Sequence, residues 1–484
     1  MTTPIVDFLK HYQSSDVSRL HMPGHKGQPY LGPEPLDITE VKGADELYFA
    51  ESIIAQSEAN ATRLFGTGLT LYSTEGSSHG IRSMIMLACQ LTRSRCAGNP
   101  ANDSSASEPA GTAVNSTGTP IQPTASAGSC RRILAARNAH KAFLFAAALC
   151  NLEVDWIYPS LSDENSAASC QITPELLEQH LTQMQTQGTL PFAVYITSPD
   201  YLGHCADVKT LAKICHRFGA LLLVDNAHGA YLHFLPEKLH PMDLGADLCC
   251  DSAHKTLPVL TGGAYLHVRE GLCSRQQAKN VMAVTGTSSP SYLLMASLDI
   301  CNEQLGGSYP ERMQQLIREV KEWKAQAAVA GIPLLPSEEL KIVVNAAALG
   351  YTGSELGELL RKHQAEPEFC DHDFLVCMLT PDTRPVDLQR LMTALLEAVA
   401  SPRPARDLTP LRLARLPRAC SIREAVFAPQ DMIPVQDSIG RICGSPAVSC
   451  PPAIPLAVSG EVITSDAVRM MEAYGIEEIS VVIE

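Results

Sequence analysis

The stretch Asp251-Ser252-Ala253-His254-Lys255-Thr256-Leu257-Pro258 sets one lysine among small and hydroxyl-bearing side chains, just ahead of the pair Gly262-Gly263. Most lysines are solvated surface charges, but this one stands where little other charge surrounds it. An amine held out of water gives up its proton more readily, and the uncharged amine condenses with a carbonyl group to a Schiff base. A second stretch, Ser73-Thr74-Glu75-Gly76-Ser77-Ser78-His79-Gly80, lies between the apolar run Leu69-Thr70-Leu71-Tyr72 and an apolar segment over 81–91. That pattern predicts strand, small polar turn, helix. The free N–H groups and partial positive charge of a first helical turn, with serine hydroxyls beside them, suit a phosphate. An ordinary serine N-cap is the alternative. Two further candidates are His140, in Arg137-Asn138-Ala139-His140-Lys141, and Asp225, which closes the run Leu221-Leu222-Leu223-Val224. The loop His21-Met22-Pro23-Gly24-His25-Lys26-Gly27 reads equally as a turn with incidental charge or as a site element.

These side chains need a scaffold. Apolar runs without polar alternation fall at 133–135, 154–157, 192–197 and 221–225, separated by helical patterns at 142–149, 174–187 and 208–218. Such runs predict an α/β fold whose mainly parallel sheet is covered on both faces. Ligands of these sheets bind outside the carboxyl ends of the strands. Gly76 through Ser78, His140 and Asp225 all follow predicted strands, so they can converge. Residues 1–20 predict a short helix with Ile5, Phe8 and Leu9 on one face, and a second helix runs to Phe65 with Ile53, Ile54, Ala61 and Leu64 in register. The segment 279–302 carries a polar entry, Thr287 to Tyr292, into a helix, and 310–329 is a longer one. Strands at 341–347 and 374–379 alternate with helices at 354–363 and 386–400, an α+β layout. Ser401-Pro402-Arg403-Pro404 is a linker, and the last unit ends in a strand at 479–483. Between Ser94 and Ser129 the chain has too little apolar bulk to order itself. The expected division is an N-terminal segment 1–50, a large domain 51–309 with a flexible insertion at 94–129, a small α+β domain 310–400 and a C-terminal domain 401–484.

At 484 residues the chain exceeds what one core serves. With 45% hydrophobic and 18% charged residues it reads as globular. A net charge of −15 argues against nucleic acid or an anionic membrane as partner, and mildly favours a cationic ligand. The N-terminus does not read as a signal peptide, and no run nears the roughly 20 apolar residues of a membrane span. The 16 cysteines form no C-x-x-C pair, which points away from a metal centre and towards reduced thiols in the cytoplasm.

In chain order, a phosphate-type turn, a histidine, a strand-end aspartate and a lysine resemble the fold-type-I pyridoxal-phosphate enzymes. The wording is closer still. His21 to Gly27, Asp37-Ile38-Thr39-Glu40, Arg137 to Lys141, Asp225-Asn226-Ala227-His228-Gly229, and Ser252 to Pro258 followed by Thr261-Gly262-Gly263 are similar to motifs of the ornithine/lysine/arginine decarboxylase family. The likeness spans residues 5 to about 305 and returns near 451–464. It implies a large fold-type-I domain, smaller α+β domains behind it, and a decarboxylase-type domain at the C-terminus. Lys255 would carry pyridoxal 5'-phosphate and handle protons near the substrate α carbon. Asp225 would pair with the ring nitrogen and His140 would stack on the ring; with Lys255 these are the catalytic residues the likeness implies. Ser77, Ser78, Ser252 and His254 would hold the phosphate, with Gly76 letting the backbone approach and His228 beside the cofactor. Glu461, in Ser459-Gly460-Glu461, would meet the distal cationic end of the substrate. The implied reaction is decarboxylation of lysine, arginine or ornithine to the corresponding amine, by at least a homodimer.

The sequence departs from the family at several points. Asn226 replaces a usual glutamate, His79 a small residue and Ser459 a proline, and Cys450-Pro451-Pro452-Ala453-Ile454-Pro455 lacks the usual aromatic residue and glycine. Three rivals follow: an aminotransferase, a lyase on the same scaffold, or a weakly active homologue. A transaminase would clamp its substrate carboxylate with an arginine of the small domain, for which Arg384 and Arg412 are the candidates.

Overall fold

The computed structural model describes residues 1–96, 131–158, 170–407, 413, 415–445 and 454–483. Seven strands form the main sheet: β1 (Leu69–Ser73), β2 (Arg132–Ala136), β3 (Glu153–Ile157), β4 (Ala193–Thr197), β5 (Leu221–Asp225), β6 (Leu248–Asp251) and β7 (Ala264–Val268), in the order β1-β7-β6-β5-β4-β2-β3. β2 to β6 are parallel, and β7 runs against both its neighbours, β1 and β6. The carboxyl ends of β1, β2, β4, β5 and β6 therefore share one edge. The polar turns after these strands open there.

Alternation along the strands shows why the runs are apolar throughout. In β5, Leu221 and Leu223 join one core cluster while Leu222 and Val224 join another on the opposite face. In β4, Ala193 and Tyr195 divide from Val194 and Ile196 in the same way. Each fully buried leucine contributes about 1.5–3 kcal/mol. The larger cluster draws on helices α1 (Pro4–Ser14), α2 (Ile53–Phe65), α3 (Gly76–Cys96) and α4 (Lys141–Cys150). The other face is covered by α5 (Pro174–Thr186) and α6 (Val208–Arg217). A one-turn helix α7 (Ala253–Thr256) follows β6. Helices α8 (Arg275–Thr285), α9 (Tyr292–Leu305) and the long α10 (Tyr309–Val329) come after β7.

Beyond α10, β8 (Leu334–Leu335), β9 (Lys341–Asn345), β10 (Phe369–Cys370) and β11 (Phe374–Met378) form an antiparallel sheet in the order β10-β11-β9-β8, with α11 (Gly353–Lys362) and α12 (Pro385–Ala400). Leu202, from the loop after β4, packs with Val343, Phe369, Phe374 and Val376 of this sheet. That contact seats the small sheet beside the strand-end edge of the large one. Near the C-terminus, α13 (Ile422–Phe427) packs on α4, and β12 (Gln430–Pro434), α14 (Ser465–Ala473) and β13 (Glu478–Val482) enclose a small core that includes Val435, Cys443, Met471 and Val481.

Several expectations shift. The helix after β1 begins at Gly76 rather than at residue 81, so Ser77 and Ser78 are its first turn. The segment 279–302 is two helices, broken at 286–291 where Ser291 caps the second. β9 ends at Asn345 because Ala347–Leu349 tighten into a 3-10 turn. Of the expected insertion at 94–129, residues 94–96 are the last turn of α3; the rest lies outside the described residues, as do residues 450–453.

Candidate active site

The lysine turn is shaped by its neighbours. Ala253 and Thr256 are buried, and the Lys255 amide donates to the Ser252 carbonyl at 3.0 Å. Pro258 then forbids another helical turn, and Leu257 before it is extended, at φ −121° and ψ 160°. His254 and Lys255 are left half-buried at the strand-end edge. The His254 amide and Nδ1 lie 3.2 and 3.1 Å from the Gly263 carbonyl, and Nδ1 is 3.4 Å from Ser252 Oγ. The Gly76 amide donates to the Gly262 carbonyl at 2.7 Å, and the Cys250 thiol to the Ser77 carbonyl at 3.5 Å. The serine turn and the lysine turn thus meet at Gly262-Gly263. Gly76 has φ +70°, with open space where a Cβ would stand. A side chain there would be strained and would fill the space in front of the helix end.

Asp225 is buried at the end of β5. Tyr195 donates its hydroxyl to Oδ2 at 3.0 Å and the Ala227 amide donates to Oδ1 at 3.2 Å. Burial beside this carboxylate keeps the Tyr195 hydroxyl protonated. His140 caps α4: its Nδ1 accepts from the Ala142 amide at 3.1 Å, which leaves the ring hydrogen on Nε2. Its ring is exposed, while the protein packed around it lowers its pKa, against the pull of Asp225. Burial also lowers the pKa of Lys255, opposed by Asp225 and Glu368 and aided by Lys341.

His228 lies between two amines. Its Nε2 is 2.9 Å from Lys255 Nζ and its Nδ1 is 3.1 Å from Lys341 Nζ, with Tyr201 edge-on to the ring. Burial holds its pKa well below the usual histidine value, and Lys255, Lys341 and His140 push the same way. The sequence reading missed Lys341. Its signal was a single charge at the head of the apolar run Lys341-Ile342-Val343-Val344.

Glu461 is brought to the same edge of the sheet but is engaged by protein. Both its oxygens accept from Arg137, each at 2.8 Å, and the Val458 amide donates to one of them at 2.9 Å. Asn226 turns away from Asp225 and donates to Asp251 Oδ1 at 2.7 Å. A glutamate there would set two buried carboxylates against each other. His79 points into the core, with Nδ1 2.9 Å from Ser73 Oγ and Nε2 2.9 Å from the Met282 carbonyl, so it does not crowd the serine turn. Arg384 is exposed at the N-cap of α12 and paired with Asp387, and Arg412 lies outside the described residues. The His21–Gly27 loop is tied to Asp37 through His25 at 3.2 Å. Behind the site, the buried ligand atoms of His240, Cys249 and Asp251 lie within 4.8 Å of one another, a grouping the cysteine spacing did not suggest. Asp251 already accepts there from Asn226, and it bonds His240 and His267 as well.

Buried polar atoms without a partner test what the cleft would hold. Among the described residues they include Thr74 Oγ1, both side-chain polar atoms of Asn138, Asn226 Oδ1 and Thr256 Oγ1. All belong to turns at the strand-end edge. Polar groups left so are rare unless a ligand completes them. With the first turn of α3, an amine of lowered pKa, a fixed carboxylate and an exposed imidazole ring, this donor set fits pyridoxal 5'-phosphate.

The family profile "Orn/Lys/Arg decarboxylase, major domain" matches residues 110–343. The matched segment runs from before β2 to within β9. Along its length the chain is 28% identical to the arginine decarboxylase of Bacillus subtilis (strain 168), over 96% of this chain and 92% of the relative. In fold it is similar to the lysine decarboxylase of Francisella novicida, at a TM-score of 0.77 and 14% identity, over 99% of this chain and 81% of that one. The Oryza sativa protein TDC, solved with PLP, shares the fold at a TM-score of 0.54 and 15% identity, over 72% of this chain and 74% of that one. The architecture is fold type I, with further domains behind a mostly parallel seven-stranded sheet.

Proposed function

We propose that the protein is a pyridoxal-phosphate-dependent decarboxylase of a basic amino acid, with arginine first among lysine, arginine and ornithine. The observation that carries this is a half-buried lysine amine of lowered pKa, under the pull of the strand-end carboxylate Asp225, within the segment that matches the Orn/Lys/Arg decarboxylase major domain. Arginine comes first because the Bacillus subtilis relative that the chain matches nearly end to end is named for it.

The cofactor, when bound, supplies a conjugated ring that takes up the electron pair released as a bond at the substrate α carbon breaks. The chain supplies the rest. Lys255 anchors the cofactor through Nζ and returns a proton to the α carbon. Asp225, fixed by Tyr195 and the Ala227 amide, holds a proton at the ring nitrogen. His140 presents its exposed ring for stacking. Ser77, Ser78, Ser252 and His254 hold the phosphate, with Gly76 leaving the approach open. Aligning the bond to be broken is a positioning task that rigid strand ends perform well. Two acids support a cationic substrate. Glu368 is exposed, lies near enough to pull on Lys255 and accepts from Tyr201 at 3.1 Å. Glu461 would act only if a substrate drew it from Arg137.

We further propose at least a homodimer. The N-terminal segment leaves Leu20, Met22, Tyr30 and Leu31 68–93% exposed, an apolar surface suited to a second copy. The buried Cys215, Cys301 and Cys377 are free thiols, which supports a cytoplasmic setting, and the amine product would feed polyamine metabolism. The test is a panel of arginine, lysine and ornithine with the cofactor, scored for carbon dioxide and amine. Keto acid without carbon dioxide would establish an aminotransferase instead.

A further inference from the structure

Lys341 opens β9 and is fully buried. Its stem passes Gly203, at φ +88°, where a Cβ would stand 3.1 Å from Lys341 Cδ and 3.0 Å from Ser337 Cβ. The Glu338 amide ties the same loop to the Gly203 carbonyl at 2.8 Å. A side chain at position 203 would be strained and would crowd this lysine's stem. At the strand-end edge the lysine Nζ lies 3.3 Å from the carbonyls of Asp200 and Tyr201, 3.1 Å from His228 Nδ1 and 3.5 Å from Glu338 Oε1.

Counting hydrogens decides the protonation pattern. An ammonium has three hydrogens and no lone pair, and a neutral imidazole has one donor and one acceptor nitrogen. Lys341 meets two carbonyls, a ring nitrogen and a nearby carboxylate, which is the environment of a charged amine. His228 Nδ1 must then accept, so the ring hydrogen sits on Nε2. That hydrogen faces Lys255 Nζ at 2.9 Å, and only an amine with a free lone pair can receive it. The reverse arrangement would aim an N–H at Lys341, whose lone pair would have to exist inside a cage of carbonyl oxygens.

We propose that Lys341 is a positioning residue that fixes His228 as its Nε2–H tautomer and thereby keeps Lys255 uncharged and nucleophilic before the cofactor arrives. The inference rests on Lys255 being the cofactor lysine. The lowered pKa values of His228 and Lys255 agree with it, each owing part of its shift to Lys341. The charged and titratable groups around the relay are Asp225 at the end of β5, His140 at the start of α4, Tyr201 after β4, Glu338 before β9 and Glu368 before β10. Asp225 and Glu368 favour a charged Lys255, and Lys341 opposes them.

Nitrogen-15 NMR of the full chain, labelled at histidine and assigned with His228→Gln, reads the tautomer with and without added pyridoxal phosphate. The expected spectrum has a bare Nδ1 and a protonated Nε2 without the cofactor; a protonated Nδ1 overturns the proposal. A second measurement follows cofactor attachment by absorbance across pH. Lys341→Met should move the midpoint up by about one unit, which is about tenfold slower attachment at a fixed pH below it. Lys341→Arg should keep the wild-type profile. A Lys341→Met protein that melts lower yet keeps its profile has lost only a structural lysine, and the proposal fails. If that variant does not fold, the NMR result on the unaltered protein decides. Borohydride labelling at a lysine other than 255 would remove the cofactor reading itself, while the tautomer would still be measured independently.

Discussion

In the proposed mechanism Lys255 must be an uncharged nucleophile before it can anchor the cofactor, and its surroundings set the pH at which it is one. Burial lowers its pKa, and the Asp225 carboxylate resists that shift. Removing the carboxylate charge removes the resistance. Asp225→Asn should therefore move the pH profile of cofactor attachment downward, opposite in sign to Lys341→Met, in a stopped-flow absorbance titration. The same variant should lower the decarboxylation rate by about 10²–10³-fold, the scale for losing one fixed electrostatic partner. Lys255→Ala should abolish the absorbance band of the attached cofactor while leaving the far-ultraviolet circular dichroism unchanged. At this scale the sequence was informative where function requires a residue beside a turn. Asp225, His140 and the serine turn each follow a strand whose apolar run is visible, and Lys255 stands out by its small and hydroxyl-bearing neighbours. Lys341 was hidden because its partner, His228, is 113 positions away. Nothing local marks a lysine as the neighbour of a distant imidazole.

The elements that carry these residues are held by a buried polar network. Asp251 ends β6 and bonds His240 and His267, and Asn226 donates to it from the turn after β5. Desolvation pushes its pKa up, but His240 and His267 outweigh it and hold the carboxyl well below the usual range. A carboxyl depressed in this way stabilises the fold above its ordinary pKa of ~3.9, and the contribution drains away as pH falls below that value. Asp251→Asn should cost about 3–5 kcal/mol at neutral pH, read as a lowered urea midpoint, with a smaller loss in acid. The network also explains what the sequence concealed. β6 is four residues long, Leu248-Cys249-Cys250-Asp251, too short for a strand pattern, and its aspartate looked like part of the lysine turn. β1, β2, β4 and β5 were legible because both faces of each are apolar or nearly so, and β3 through Val154, Trp156 and Ile157 despite Glu153 and Asp155. The start of α3 was not, since Gly76 to His79 have turn composition and become helical only through burial of His79 and the packing of α3 on β6.

At the scale of the molecule, two distant parts of the chain come to the sheet edge. The small sheet delivers Lys341, and the C-terminal segment delivers Glu461 to Arg137, whose guanidinium is fully buried with Trp156 and Tyr158 against it. The family likeness pointed to Glu461 as a substrate contact. The structure gives it a buried partner whose presence in Arg137-Asn138-Ala139-His140-Lys141 the sequence did not explain. Glu461→Gln breaks a buried pair and should destabilise the protein by about 3–5 kcal/mol, measured by thermal or urea unfolding. A cofactor-binding loss no larger than that destabilisation explains would mark Glu461 as structural. If instead the KM for arginine rises while the protein stays folded, the carboxylate meets substrate. Size-exclusion of the purified protein should give at least a dimer, and a stable, active monomer would contradict that.

Arg137 and Glu461 are 324 positions apart. During synthesis, the guanidinium is therefore made long before its counter-ion leaves the ribosome. A polypeptide terminated by a premature stop before residue 461 would keep a lone cation in a greasy niche beside the strand ends. Such a product would open locally and be cleared by proteases. Nonsense mutations far from the lysine turn should then act as nulls, through disappearance of the protein rather than through a crippled catalyst.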